Sequence, residues 1–506
     1  MRRHVFVGLA VLALSACSDD TQEPDDDVGS QANGDDASIQ GDDVDVQPDT
    51  ASLPDAEEDP SGPKLTVLRA ELRDWLDERE LEPLSSPPAT DAALVELGHN
   101  LFFDPILSGA KDTNCAFCHQ MDEATTDAFP LSAGTGAIVD ENGDRRPGPQ
   151  LSFTNRTSTE LFNRGHQELR TMFWDRRLEQ LDDGRFVVHD TSYPKLEGVY
   201  WRVLPEELDN LLAAQAMLPV HSRDEMRGIN GTYDIFGNYN EVAAGPAHNP
   251  NGSWNRLMDR LAGVSEYRAM FEEAYPDKHF DELSFAHVAN ALAAFQIDAF
   301  SFSHSPWDSF VAGDDDALSD AQIRGAHLFY GDAGCARCHG GQLFTDQELY
   351  NWAVPPMTRG PESFDNMDLG AAHRSHAGSD KKFHFRTPPL RNVELTGPYM
   401  HNGSYETLQD VIRHKIDPIQ GLWNYDSSHM GPVFRQQVHT DATALERVES
   451  TVSAQALLTP SMSDEEIDDI VAFLEALTSP DARDLSHLDL DEVPSGLPVP
   501  DPTDLQ

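Results

Sequence analysis

Two short clusters carry residue types whose spacing defines a chemistry: Cys115-Ala116-Phe117-Cys118-His119 and Cys335-Ala336-Arg337-Cys338-His339. Two thiols at this spacing add to the two vinyl groups of one haem, and the histidine that follows falls under the iron as its axial ligand. A zinc site needs four ligands in one cluster, whereas these motifs lie 220 residues apart. A redox dithiol has no use for a histidine directly after its second thiol. Each motif therefore reads as an attachment site for haem c, with His119 and His339 as the proximal iron ligands. No histidine occurs between Gln120 and Gly165, and Met121 is too near its loop to reach over the ring. The first iron is thus expected to keep an open position, as a catalytic haem must.

The elements that position these motifs read as helices. Leu65, Leu68, Leu72, Trp75 and Leu76 recur at helical spacing. Thr90 is placed to cap a helix carrying Leu94, Leu97, Leu101 and Phe102, which Asp104-Pro105 stops. Further helical stretches fall at 205–218, 283–300, 318–330, 405–415 and 463–478, and no long stretch alternates at the strand period. Gly98-His99-Asn100-Leu101-Phe102-Phe103 precedes the first motif, and Gly325-Ala326-His327-Leu328-Phe329-Tyr330 the second. The expected fold is mainly α, with two cytochrome c-like domains and long irregular loops. The domains span 64–302 and 303–480, with a Ser/Asp/Gly/Pro-rich linker at 303–316.

With 506 residues the chain is too long for one compact core. Its formal charge of −52 repels nucleic-acid phosphates and anionic membranes and suits a basic protein partner. Arg2 and Arg3 precede an apolar run, Val5 to Leu14, that is too short to span a bilayer. Leu14-Ser15-Ala16-Cys17 follows and is similar to a bacterial lipobox, so residues 1–17 are expected to be a lipoprotein signal and Cys17 the site of a lipid anchor. This accounts for the odd fifth cysteine and places the protein in the cell envelope. Residues 18–63 read as a disordered acidic tether, for residues 18–60 hold sixteen Asp or Glu and no Lys or Arg. Residues 481–506 form an acidic, irregular tail.

Several segments closely resemble the bacterial di-haem cytochrome c peroxidases and the related MauG-type enzymes, which oxidise protein tryptophans. They are Leu97 to Ser108, Met172 to Arg176, Gln215 to Met226, Pro306 to Asp314 and, most specifically, the run from Phe385-Arg386-Thr387-Pro388-Pro389-Leu390-Arg391-Asn392 to Tyr399-Met400-His401-Asn402-Gly403-Ser404. The resemblance covers roughly residues 90–478. It implies that the first haem is the peroxide site, with Glu225 as acid–base for O–O cleavage, Gln215 ordering peroxide and Trp174 relaying electrons between the haems. It also implies one calcium ion, with the carbonyls of Thr396 and Pro398 as ligands and Asn155 a weaker side-chain candidate.

Two departures stand out. The distal histidine of the classical peroxidases is missing, as in the MauG branch. The family's sixth ligand to the second haem lies fourteen residues after the histidine matched by His401, which gives Lys415, with His414 beside it, where the family has Met or Tyr. Three functions follow as expectations. One is reduction of hydrogen peroxide with electrons from a small cytochrome or cupredoxin. Another is oxidation of an exported partner protein. The third is non-catalytic electron transfer, against which Gln215 and Glu225 argue.

Overall fold

The computed structural model of the chain describes residues 62–139, 145–189, 195–196, 199–200, 202–245, 250–358, 367–374 and 379–501. Cys17 and residues 18–61 of the acidic tether lie outside them. The described part is mainly helical, and among the described residues no helix is long and apolar enough to cross a membrane.

Two helix crossings build the molecule, and each is made by one of the repeated glycines. Helices α1 (Gly62–Glu78) and α2 (Ala92–Phe103) come first among the described residues, and α3 (Leu211–Ala216) and α4 (Phe285–Phe300) are among those that follow in the first half. The second half holds α5 (Pro306–Val311), α6 (Asp320–Tyr330), α7 (Leu408–Ile416) and α8 (Asp464–Glu475). Where α2 crosses α4, a Cβ on Gly98 would lie 1.9 Å from the carbonyl oxygen of Ala291. Where α6 crosses α8, a Cβ on Gly325 would lie 1.8 Å from that of Asp469. Only a residue without a side chain permits so close an approach. The resulting cores are separate: Leu97, Leu101, Phe102, Phe295 and Phe300 lie in the first, and Trp307, Phe310, Phe329 and Phe473 in the second.

The cores do not follow chain order at the ends. Helix α1 buries Leu65, Leu72 and Leu76 in the second core. The segment after residue 480 returns to the first, burying Ala482, Leu485 and Val493. Ser495 donates from its Oγ to Asp104 at 2.7 Å, and the His99 ring contacts the Leu488 carbonyl at 2.6 Å. The tail is irregular, as its composition suggests, but packed. Residues 303–316 are no open linker. Ser305 and Asp308 form a capping box at the start of α5, and Trp307 and Phe310 sit fully in the second core. Asp91, one residue after the expected Thr90, caps α2 by accepting from the amides of Ala93 and Leu94.

A small antiparallel sheet, β1 (Thr171–Met172), β2 (Leu178–Gln180), β3 (Phe186–Val188) and β4 (Arg202–Val203), braces the turn that carries Trp174. The halves are joined by buried charge. Arg391 holds both carboxylate oxygens of Asp308 at 2.8 and 2.9 Å and donates to the Gln342 carbonyl at 2.6 Å. Asp308 also accepts from the amide of Leu84, in the first core. Burial pushes the Asp308 carboxyl up, but the Arg391 bonds outweigh it and hold its pKa below the ordinary value. Removing one partner strands the other charge in the interior, so Arg391→Ala should lower the unfolding free energy by about 3–5 kcal/mol in denaturant titrations. A loss of under about 1 kcal/mol would contradict this role.

Candidate functional site

Both C-x-x-C-H motifs fold into the same tight turn. The amide of His119 donates to the Cys115 carbonyl at 3.0 Å, and that of His339 to the Cys335 carbonyl at 2.9 Å. Each imidazole is then aimed by its Nδ1, which lies 2.9 Å from a carbonyl: Thr125 for His119 and Phe344 for His339. A carbonyl only accepts, so Nδ1 carries the hydrogen and Nε2 keeps its lone pair for a metal. Burial draws both pKa values down to about 4, which leaves the rings neutral and ready to ligate.

The second motif opens into a deep apolar cavity lined by Cys335, Cys338, His339, Phe329, Leu390 and Leu474. Arg386 also lines it and is 3% exposed. Its Nε donates to the Phe173 carbonyl at 3.0 Å, while its Nη1 has no partner among the described residues. Burial pulls the guanidinium pKa down to about 9. An apolar slot with two thiols, a lone-pair histidine nitrogen and an unneutralised buried cation fits haem, a flat apolar ring with carboxylate side chains.

The same cavity reaches the underside of the first motif. Ser158, Thr159, Glu160 and Trp174 line its other end. Ser158 Oγ lies 2.6 Å from the Cys118 carbonyl and 3.3 Å from His119 Nδ1. Trp174 therefore shares the cavity of the second motif with residues that touch the first. Its ring meets that of His401 edge-on at 6.5 Å, and its indole nitrogen has no partner among the described residues.

Gln215 lies in the last turn of α3, and Glu225 on a π-helical turn, Arg223–Arg227. The Glu225 carbonyl accepts from the Thr135 amide at 2.7 Å, and Gly134 packs so closely that a Cβ there would lie 2.1 Å from that oxygen. π-Turns interrupt the regular ladder and are frequent at functional sites. The Gln215 side-chain oxygen is buried with no partner among the described residues, and Glu225 is near enough to Cys118 to raise its thiol pKa.

Lys415 and His414 part company. His414 is buried, and burial draws its pKa down to about 4. Its Nε2 lies 2.8 Å from the Trp352 carbonyl and its Nδ1 2.7 Å from the Tyr405 hydroxyl, so neither nitrogen is free for iron. Lys415 does line the second cavity, with its Nζ 3.7 Å from the centre of the Trp352 ring, the geometry of an ammonium on an aromatic face. Burial draws its pKa down to about 8.

The side-chain oxygen of Asn155 is likewise buried and without a partner among the described residues. Two residues on, the Thr157 amide donates to the His401 carbonyl at 3.0 Å, close in sequence to Thr396 and Pro398. Sequence reasoning missed Arg156, between these two. It pairs with Asp175, beside Trp174, at 2.9 Å and with Asp368 at 2.5 Å. Burial alone would lower its pKa, but the two carboxylates drive it above the ordinary value. Nothing in the spacing of these three residues announces the cluster.

Comparison with known proteins agrees with this geometry. Residues 92–316 match the profile of the di-haem cytochrome c peroxidases. The methylamine utilization protein MauG of Methylophilus methylotrophus is 28% identical over 344 residues, 67% of this chain and 76% of that protein. The cytochrome c551 peroxidase of Pseudomonas aeruginosa is 27% identical over 320 residues, 63% and 70% of the two chains. A crystal structure of a MauG-like protein associated with microbial copper homeostasis shares the fold, with a TM-score of 0.50 at 22% identity, over 78% of this chain and 94% of that one. Residues 92–316 thus carry the di-haem cytochrome c peroxidase profile, and relatives with peroxidase and MauG names align over about two thirds of the chain, which marks it as an oxidoreductase.

Proposed function

We propose that this protein reduces hydrogen peroxide at the first motif and draws the electrons from the second through Trp174. The observations that carry the reading are the buried Gln215 oxygen, which has no partner among the described residues, and Glu225, near enough to Cys118 to raise its thiol pKa. Cys115, Cys118 and His119 hold one haem c, and Cys335, Cys338 and His339 the other. When bound, haem would supply iron that exchanges single electrons and can take up peroxide. Gln215 orients peroxide by a hydrogen bond. Glu225 takes the proton from one peroxide oxygen and hands it to the other, so that the departing oxygen leaves as water. Trp174 offers the aromatic step between the halves. Asn155, with the carbonyls of Thr396 and Pro398, offers the hard oxygen donors that suit a calcium ion.

The donor is a small cytochrome or cupredoxin, and the charge of −52 favours a basic one. Cys17 carries the lipid anchor, and the acidic residues after it form the tether that holds the folded part off the membrane of the cell envelope. A second reading, oxidation of Trp or Tyr side chains on an exported protein, is favoured by the missing histidine between Gln120 and Gly165 and opposed by Lys rather than Tyr at 415. Rapid turnover of peroxide with a reduced small cytochrome supports the first reading. A long-lived two-equivalent oxidised state without turnover supports the second. No reaction with peroxide leaves only an electron carrier.

Glu225→Ala should retain both haems by pyridine haemochrome assay yet react with peroxide about 10²- to 10⁴-fold more slowly in stopped flow. An unchanged rate removes Glu225 from the mechanism. Lys415 makes the second site pH-dependent. Below about pH 8 its ammonium favours the reduced haem, and as pH rises through that value the charge is lost. The reduction potential of the second haem should therefore fall across this window, and Lys415→Met should abolish the step. A pH-independent wild-type potential would contradict it.

A further inference from the structure

Behind the second cavity lies a cluster that the peroxide chemistry does not use. Tyr405 Oη is 2.7 Å from His414 Nδ1, and His414 Nε2 is 2.8 Å from the Trp352 carbonyl. Because a carbonyl only accepts, Nε2 carries the ring hydrogen, and Nδ1 presents its lone pair to the tyrosine hydroxyl. The ring has one place to sit. A Cβ on Gly421 would come within 2.2 Å of Nδ1, so only glycine at 421 leaves room for it. His414 is 3% exposed, so the accepting ring is closed to solvent, while Tyr405 is half-buried. Trp352 anchors His414 through its carbonyl and lines the second cavity, so one residue joins the pair to the haem site.

We propose that Tyr405 and His414 form a redox-active pair that stores an oxidising equivalent delivered through the second haem site. The inference rests on the peroxide reading given above. Hydrogen peroxide accepts two electrons and two protons and leaves as two waters, and the protein has then lost two electrons. One is replaced from Tyr405. Its O–H bond breaks, the electron passes by way of Trp352 to the second site, and the proton moves along the existing hydrogen bond to Nδ1. The products are a neutral phenoxyl radical and an imidazolium whose Nε2–H still donates to Trp352. When a donor returns the electron, the proton is waiting 2.7 Å away.

Neighbouring tyrosines lack this arrangement. Tyr425 stands 5.6 Å from Tyr405, but its hydroxyl donates to the Ser404 carbonyl, which cannot keep a full proton. Tyr350 lines the cavity and donates to Asp346, a half-exposed carboxylate from which the proton escapes to water. A reversible store needs an acceptor that keeps the proton, and the buried His414 ring beside Tyr405 is one.

The test uses the full-length di-haem protein, mixed with hydrogen peroxide without donor and frozen within milliseconds for EPR. Wild type should show an organic radical whose spectrum narrows with ring-deuterated tyrosine and gains a nitrogen coupling that changes with isotope-labelled histidine. Tyr405→Phe should lower its yield at least tenfold, whereas Tyr350→Phe and Tyr425→Phe should retain it. A radical unaltered by either label, or undiminished in Tyr405→Phe, overturns the proposal, and the two labels decide it in wild type even if the variant fails to fold. A Soret band that responds to peroxide without any radical also overturns it while sparing the peroxide reading. A Soret band that does not respond defeats both.

Discussion

The buried charge of Arg156 is the constraint on which the arrangement between the two sites depends. Its guanidinium binds Asp175, next to Trp174, and Asp368, from the second half, and it lies over the Phe385 ring at 5.4 Å. Three charges out of water are tolerable only in fixed geometry, because a lost partner leaves an uncompensated ion in the interior. That penalty fixes the turn carrying Trp174 against the strand that carries Phe385 and Arg386. The Arg386 amide in turn donates to the Trp174 carbonyl at 2.7 Å. The relay proposed for Trp174 needs its ring held still, and the ion cluster next to it does that.

Around this centre the two halves repeat one design and then diverge. Each uses a glycine at a helix crossing, a C-x-x-C-H turn and a carbonyl that aims the proximal histidine. The divergence lies in what faces the second axial position. The first half presents an amide oxygen without a partner and a carboxylate, groups that can handle peroxide and its protons. The second presents an apolar slot with Lys415 laid on Trp352. The proposed division, peroxide chemistry at one end and entry or storage of electrons at the other, rests on that asymmetry.

Much of this was legible in the residues. The C-x-x-C-H motifs announce themselves because covalent attachment imposes strict spacing. The crossing helices were visible because apolar periodicity and the Gly98 and Gly325 repeats are local signals. Gln215, Glu225 and Trp174 came only from family resemblance, since isolated polar and aromatic residues carry no local signature. The tertiary pairings were not legible at all. Arg156 meets Asp368 across 212 positions, and the tail after residue 480 returns to a core begun near residue 84. The choice between Lys415 and His414 was of the same kind: helical phase says that they diverge, but only the Tyr405 and Trp352 contacts say which one turns away from the cavity.

The central claim is that the first iron is open and the site around it receives peroxide. Low-temperature EPR of the fully oxidised protein, before and after adding cyanide, tests it most directly. The account predicts a high-spin ferric signal that cyanide converts to low spin, and that remains cyanide-responsive when the second site is altered by Lys415→Met. Two low-spin signals, both indifferent to cyanide, would contradict it.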